Sequence, residues 1–127
     1  MEPTPTPRRV LVVDDDPAMV RLETGILIRA GFIVEAVSTG EEAIEALSRT
    51  AYDAVSLDIG LPGMDGFEVA RQLRGQEGPN RHIPIIMVTA THEQQAVHRG
   101  FEVGAVMFLK KPFTAAALRS AIESVIG

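Results

Sequence analysis

Five short runs of apolar residues, rich in valine and isoleucine, recur along the chain between longer segments of mixed polarity. The runs cover residues 10–13, 33–37, 54–57, 83–88 and 105–109. They lack the strict alternation of a half-exposed strand, so we expect strands that are covered on both faces. The segments between them are long enough for helical crossovers, which parallel strands require. The pattern predicts an α/β fold built on five strands.

Polar residues in the intervening segments mark where the helices begin. Four pairs have the spacing of a helix start: Asp16 with Pro17, Ser38 with Glu41, Asp65 with Glu68, and Thr91 with Gln94. Apolar stripes predict the side chains that face the core: Met19, Leu22, Ile26 and Ala30 in the first helix, and Leu118, Ile122 and Val125 in the last. Gly31 lies just past the first stripe, where a helix C-terminus favours glycine.

The length and composition are typical of one globular domain. The chain has 127 residues, of which 46% are hydrophobic and 23% charged, unlike the strongly polar balance of a disordered chain. Residues 1–7 include three prolines and predict an extended leader. We therefore expect one domain over residues 8–127, without a second folded module to serve as an output domain.

Charge and cysteine content exclude several functions. The formal net charge of −5 argues against a nucleic-acid surface, which depends on lysine and arginine. The absence of cysteine excludes disulfides, thiolate zinc sites and cysteine nucleophiles. The longest apolar run near the N-terminus is four residues, too short for a signal peptide or a membrane span. We expect a cytoplasmic protein that contacts neither nucleic acid nor membrane directly.

Charged and hydroxyl side chains follow the predicted strands. They are Asp14, Asp15 and Asp16 after the first strand, Asp58 at the end of the third, Thr89 after the fourth and Lys111 after the fifth. Ligands of doubly wound sheets bind outside the carboxyl ends of the strands, so these side chains should converge. Crowded carboxylates repel one another unless a cation lies between them, and oxygen ligands favour Mg²⁺. A carboxylate beside Mg²⁺, a hydroxyl and an ammonium predicts phosphoryl transfer onto Asp58.

Four segments, VLVVDDDP, LDIGLPGMDG, MVTA and FLKKPF, occur in this order and resemble the motif series of response-regulator receiver domains. Each segment alone is common, but the four together are specific. The resemblance covers residues 8–127. It implies a flavodoxin-like doubly wound fold, (βα)5, whose five-stranded parallel sheet has the order 2-1-3-4-5. It also implies a signalling switch that catalyses only its own phosphorylation and dephosphorylation.

The resemblance implies a role for each residue of the metal site. Asp14 and Asp15 correspond to the acidic pair, with Asp15 as the direct ligand of Mg²⁺. Asp58 corresponds to the phosphate acceptor and also to a metal ligand. The backbone carbonyl of Gly60 completes the set that the family uses to hold Mg²⁺.

Further roles concern the phosphoryl group and the switch. By resemblance, Thr89 hydrogen-bonds the phosphoryl group, and Lys111 pairs first with the Asp58 carboxylate and then with the phosphate. Phe108 stands where the family has an aromatic switch residue, often tyrosine, that moves inward when the threonine shifts. Phenylalanine keeps the ring but lacks the hydroxyl. Gly60 and Thr91 occupy the positions that tune the phosphate lifetime in the family.

The resemblance also implies partners. A histidine kinase or phosphotransfer protein would donate the phosphoryl group. A downstream protein would bind the face formed by the fourth helix, fifth strand and fifth helix. The chain would be a monomer or a weak, phosphorylation-dependent dimer.

Several of these residues also have a simpler, purely structural explanation. Asp16 precedes Pro17, so we interpret it as a helix cap rather than a third metal ligand. Thr91 is explained equally well as a cap, and Gly60 equally well as a turn residue. Phe101 and Phe113 are expected to fill the core. Histidines 82, 92 and 98 share no ligand spacing with carboxylates and are expected at the surface.

Two other functions are compatible with part of the sequence. An Asp-x-Asp segment after a first strand also occurs in phosphohydrolases of the haloacid dehalogenase type, in which Asp14 would be the nucleophile. That hypothesis leaves Asp58, Thr89 and Lys111 unexplained as a set. A receiver-like binding module that works without phosphorylation is the third possibility, but such modules typically lose the acceptor or the acidic pair.

Overall fold

The computed structural model of the protein describes residues 7–90 and 94–126, and within them the chain alternates between strands and helices. The strands are β1 (Arg9–Val13), β2 (Ile33–Val37), β3 (Ala54–Asp58), β4 (Ile85–Thr89) and β5 (Ala105–Lys110). The helices are α1 (Pro17–Arg29), α2 (Gly40–Arg49), α3 (Gly66–Gly75), α4 (Gln94–Glu102) and α5 (Ala115–Ile126). All strand pairs are parallel and the order is β2-β1-β3-β4-β5. The predicted flavodoxin-like (βα)5 fold is confirmed.

The strands lie within two residues of the predicted bounds. The main difference is at β4, which begins at Ile85 rather than at residue 83. Proline lacks a backbone N–H, so Pro84 cannot donate to a neighbouring strand. The N–H of Ile83 instead donates to the carbonyl of Asn80 at 3.1 Å. Ile83 and Pro84 therefore precede the strand and are not part of it.

Alternate residues of each central strand point to opposite faces of the sheet, and each face has its own core. On one face the strands pack against α2, α3 and α4 through a cluster that includes Leu57, Met87 and Leu73. On the other face they pack against α1 and α5 through a cluster that includes Leu27 and Ile122. This two-sided burial explains why the strand segments are apolar without alternation.

Helix α1 follows the predicted stripe only in part: Ile26 packs partly buried against the core, as expected. The buried residues of this helix are Glu23 and Leu27, whereas Leu22 is 48% exposed. The apolar side chains of this helix extend around most of its circumference, so the sequence pattern left its rotation about the axis undetermined. The prediction for Leu22 is wrong. In α5, the predicted Leu118 and Ile122 are buried.

Two of the four predicted helix caps, Asp16 and Asp65, are confirmed. Asp16 accepts from the N–H of Ala18, and Asp65 accepts from the N–H of Glu68. The cap of α2 is Thr39, not Ser38 as predicted, and its hydroxyl accepts from the N–H of Glu42 at 3.1 Å. Two pairs with the same spacing lie one residue apart here, and the extended backbone of Thr39 decides between them. The predicted cap at Thr91 lies outside the described residues.

The segment between α3 and β4 is held by two polar side chains. The buried amide of Asn80 donates to the carbonyls of Leu47 and Thr50 and accepts from the N–H of Tyr52. The guanidinium of Arg74 donates to the carbonyls of Arg81, Ile83 and Gly104. These contacts hold residues 80–83, the part of the loop that leads into β4. No helix of the described residues is both long and apolar enough to cross a membrane.

Candidate metal and phosphoryl-transfer site

Strand register brings the two central carboxylates together. Val13 of β1 pairs with Leu57 of β3, so Asp14 and Asp58 follow the paired residues on neighbouring strands. Neighbouring strands lie about 4.8 Å apart. The N–H of Asp14 donates to the carbonyl of Val37 at 3.2 Å, which continues the pairing with β2 by one residue. The side chains of Asp14 and Asp58 therefore meet at the carboxyl edge of the sheet.

Three carboxylates form a compact group at this edge. One oxygen each of Asp14, Asp15 and Asp58 lies within 4.8 Å of the other two. Asp14 and Asp58 are 1% and 8% exposed, whereas Asp15 is exposed. Adjacent ligands of an octahedral Mg²⁺ lie about 3 Å apart and opposite ligands about 4 Å apart. Three carboxylate oxygens grouped this closely fit a small, hard divalent cation.

Lys111 approaches the same group from β5. Its ammonium lies 2.7 Å from Asp14 Oδ2 and 3.5 Å from Asp58 Oδ2. The shorter contact is with Asp14, whereas the resemblance had implied pairing with Asp58. The N–H of Lys111 donates to the carbonyl of Thr89 at 2.8 Å, and the Lys111–Pro112 peptide bond is cis. One ammonium therefore bridges the two buried carboxylates.

Burial and charge perturb the titration of these groups. Burial raises the pKa of Asp58, while the N–H of Gly60, which donates to Asp58 Oδ1 at 3.1 Å, and the charge of Lys111 oppose the rise. Burial by itself would lower the pKa of Lys111, but the hydrogen bond to Asp14 and the charges of Asp58 and Asp14 raise it overall. Lys111 therefore stays charged and partly neutralises its neighbours.

The other predicted site residues lie around this group. Thr89 ends β4 and is 6% exposed. Gly60 is exposed in the turn after β3, close to the Asp58 carboxylate. Phe108 lies within β5 and packs partly buried against the core on the α4 side. Thr91 lies outside the described residues, so its role stays a prediction.

Two features of the site were missed by sequence reasoning. Glu23 of α1 is 1% exposed and accepts a hydrogen bond of 2.6 Å from the hydroxyl of Ser56, two residues before Asp58 on the same face of β3. Gly66 at the start of α3 lies so close to β3 that a Cβ there would meet the carbonyl oxygen of Asp58 at 2.5 Å. The N–H of Gly66 donates to the carbonyl of Ile59 at 3.0 Å. A glycine directly after the predicted cap Asp65 was the available signal.

The structure also tests the simpler interpretations. Asp16 is a helix cap, as expected. His82 and His98 are exposed, as expected, and His92 lies outside the described residues. Phe113 packs partly buried against the core. The expectation that Phe101 fills the core is wrong, since it is 49% exposed on α4.

The family of the chain follows from comparison with known proteins. The family model described as response regulator receiver domain matches residues 10–123. The chain therefore belongs to the response regulator receiver domain family, whose members are signalling modules rather than classical enzymes and interact with histidine kinases. Receiver domains are phosphoacceptor switches. This chain has an acidic pocket formed by Asp14, Asp15 and Asp58.

Particular relatives resemble most of this chain. DNA-binding response regulator MtrA of Mycolicibacterium smegmatis is 40% identical over 106 residues, 84% of this chain and 45% of the relative. Alkaline phosphatase synthesis transcriptional regulatory protein PhoP of Bacillus subtilis is 35% identical over 119 residues, 94% of this chain and 48% of the relative. The chain thus spans about half the length of these curated relatives.

Solved structures show the same fold over nearly the whole chain. The receiver domain of sensor histidine kinase PA1611 from Pseudomonas aeruginosa PAO1 is 32% identical with a TM-score of 0.88, covering 96% of this chain and 99% of that one. That structure has a magnesium ion coordinated in the active site cleft. Chemotaxis response regulator CheY4 of Vibrio cholerae is 31% identical with a TM-score of 0.88, covering 94% and 99%.

Proposed function

We propose that this chain accepts a phosphoryl group on Asp58, with Mg²⁺ held by Asp14, Asp15, Asp58 and the carbonyl of Gly60. The observation that carries this proposal is the convergence of three carboxylates within 4.8 Å of one another beside the ammonium of Lys111. The magnesium ion in the receiver domain of PA1611 supports the choice of metal. When bound, Mg²⁺ would neutralise negative charge on the carboxylates and on the transferring phosphoryl oxygens.

The side chains of this chain position the reaction. A carboxylate oxygen of Asp58 attacks phosphorus while the bond to the donor nitrogen of a phosphohistidine breaks, and the donor leaves with the electron pair. The N–H of Gly60 binds Asp58 Oδ1 and orients the carboxylate. The ammonium of Lys111 lies 3.5 Å from Asp58 Oδ2. From this position it can form an ion pair with the new phosphoryl group. The hydroxyl of Thr89 is our proposed donor to that group.

A histidine kinase or phosphotransfer protein is the proposed donor, as is usual for the family. We propose that phosphorylation changes the face formed by α4, β5 and α5, and that a downstream protein binds there. Two large apolar side chains on this face, Phe101 and Val106, are 49% and 52% exposed, which supports a role in binding. A weak dimer of phosphorylated chains through this face is part of the proposal.

The test is phosphorylation of the purified chain by acetyl phosphate with Mg²⁺. We expect one phosphoryl group per chain, which hydroxylamine removes because it is an acyl phosphate. The Asp58→Asn variant should gain none, although it keeps the size of the side chain. Omission of Mg²⁺ should abolish uptake in the unsubstituted chain.

A matched variant separates this proposal from a phosphohydrolase that uses Asp14 as its nucleophile. Asp14→Asn should keep Asp58 as the labelled residue and slow its labelling, because a metal ligand and a partner of Lys111 are lost. Peptide mapping identifies the labelled aspartate. Phosphate found on Asp14 of the unsubstituted chain would overturn the proposal. Uptake that continues in Asp58→Asn would overturn it as well.

A further inference from the structure

The ring of Phe108 rests directly on the backbone of α4. Gly100 of this helix is buried, and a Cβ built there would lie 2.3 Å from Cζ and 2.5 Å from Cε2 of Phe108. No side chain larger than hydrogen fits between the helix and the ring in this arrangement. Both clashing atoms belong to the far end of the ring, so the backbone of β5 need not move to relieve the contact. The ring itself has to leave.

A second aromatic ring connects this contact to the surface. The rings of Phe101 and Phe108 meet edge to face with centroids 5.4 Å apart. Phe101 follows Gly100 in the same helix and is 49% exposed. A displacement of the Phe108 ring therefore removes a packing partner from an exposed aromatic side chain of the proposed binding face.

We propose that Gly100 forms the seat of the Phe108 ring, and that this glycine makes the inward ring position available to the switch. The inference rests on the proposed function in one respect only: phosphorylation is expected to change the fraction of chains in which the ring occupies this seat. The absent side chain lets β5 and α4 close over the ring. Any larger residue at position 100 would keep the ring out of this seat. The face formed by α4, β5 and α5 would then have only one state.

Gly25 provides a matched control for the effect of the seat on stability. It also lies inside a helix, but no atom lies within 4 Å of the position of its Cβ. Gly25→Ala should raise the melting temperature by about 3 °C, because alanine favours helix more than glycine does. Gly100→Ala gains the same helix preference and loses the seated ring, so its melting temperature should fall below that of the unsubstituted chain.

A second background isolates the ring as the cause. Leucine lacks the two clashing atoms, so in Phe108→Leu the change Gly100→Ala should raise the melting temperature, as Gly25→Ala does. The sulfur of Met87, 3.2 Å from the Cβ position, has to give way slightly, which a flexible thioether allows. If Gly100→Ala raised the melting temperature in both the unsubstituted chain and Phe108→Leu, the proposal would be overturned. An equal decrease in both would also overturn it, since the clash would then not involve the ring.

The effect on the switch is measured by NMR with phenylalanine labelled with ¹³C in the ring. The Phe108 signal is identified by its loss in Phe108→Leu. It should move on addition of acetyl phosphate and Mg²⁺ in the unsubstituted chain and in Gly25→Ala, but not in Gly100→Ala. Mass spectrometry confirms that all three chains carry phosphate. A signal that moves equally in phosphorylated Gly100→Ala refutes the proposal. If no chain takes up phosphate, the proposed function fails and the melting comparison alone decides the seat.

Discussion

The buried carboxyl of Glu23 makes the stability of this domain depend on pH near neutrality. The side chain is 1% exposed in α1, and its hydrogen-bond donor is the hydroxyl of Ser56 at 2.6 Å. Burial raises the pKa of Glu23 from its ordinary value of 4.5 to about 7. The hydrogen bond from Ser56 and the charge of Lys111 lower it, whereas the charges of Asp14 and Asp58 raise it. The protonated form is therefore the one that the folded state favours.

The sign and size of the effect follow from linkage. Because the folded pKa lies above the unfolded one, the contribution of Glu23 to stability is fully present below pH 4.5. It is lost as the pH rises to about 7, and the loss is constant at higher pH. Each pKa unit corresponds to about 1.4 kcal/mol, so the total loss is about 3 kcal/mol.

Glu23→Gln isolates this contribution, because glutamine has the same shape, accepts from Ser56 and does not titrate near neutral pH. Urea unfolding without Mg²⁺ should give similar stabilities for both chains near pH 4.5. By pH 8 the variant should be more stable by about 3 kcal/mol. In Ser56→Ala, which lacks the bond that favours the ionised carboxylate, the midpoint of the loss should move to higher pH. Parallel pH profiles of the unsubstituted chain and Glu23→Gln would refute this reasoning.

Other predictions concern the site and its supports. Mg²⁺ at a hundredfold excess over its Kd should raise the free energy of unfolding by about 2.7 kcal/mol, and Asp15→Ala should abolish most of this rise in urea titrations. Lys111→Ala leaves two buried carboxylates unpaired and should lower stability by about 3 kcal/mol without Mg²⁺; an unchanged urea midpoint contradicts this. Asn80→Ala leaves one N–H and two carbonyls without their partner and should lower the free energy of unfolding by about 3 kcal/mol; a loss under about 1 kcal/mol contradicts it. Gly66→Ala should slow phosphorylation by acetyl phosphate, because its Cβ would displace the backbone at Asp58; an unchanged rate contradicts this.

Residues with local signals were predictable from the sequence. The five strands were identified because two-sided burial leaves continuous apolar runs. The caps at Asp16 and Asp65 were identified because a short polar side chain binds N–H groups only two or three residues away. The ends of parallel strands meet at one edge, which suffices to group Asp14, Asp58 and Lys111 before any distance is known.

Other features depend on which elements pack together. The rotation of α1, and with it the burial of Glu23 instead of Leu22, depends on the shape of the sheet face that the helix covers. Asn80 reaches the end of α2, about thirty residues earlier in the chain, and its partners are backbone groups that have no sequence signature. The exposure of Phe101 follows from the rotation of α4 over β5.

The sequence by itself determined the class of fold, the family and the candidate residues of the acidic pocket, because periodicity, capping and motif order are local properties of a chain. Only the tertiary structure decided the distances. It decided that Lys111 lies closer to Asp14 than to Asp58, that a serine and a buried glutamate pair beneath the acceptor, and that Gly100 and Phe108 are in contact. These facts depend on how neighbouring elements approach one another, which is determined by close packing over the whole core rather than by any single segment.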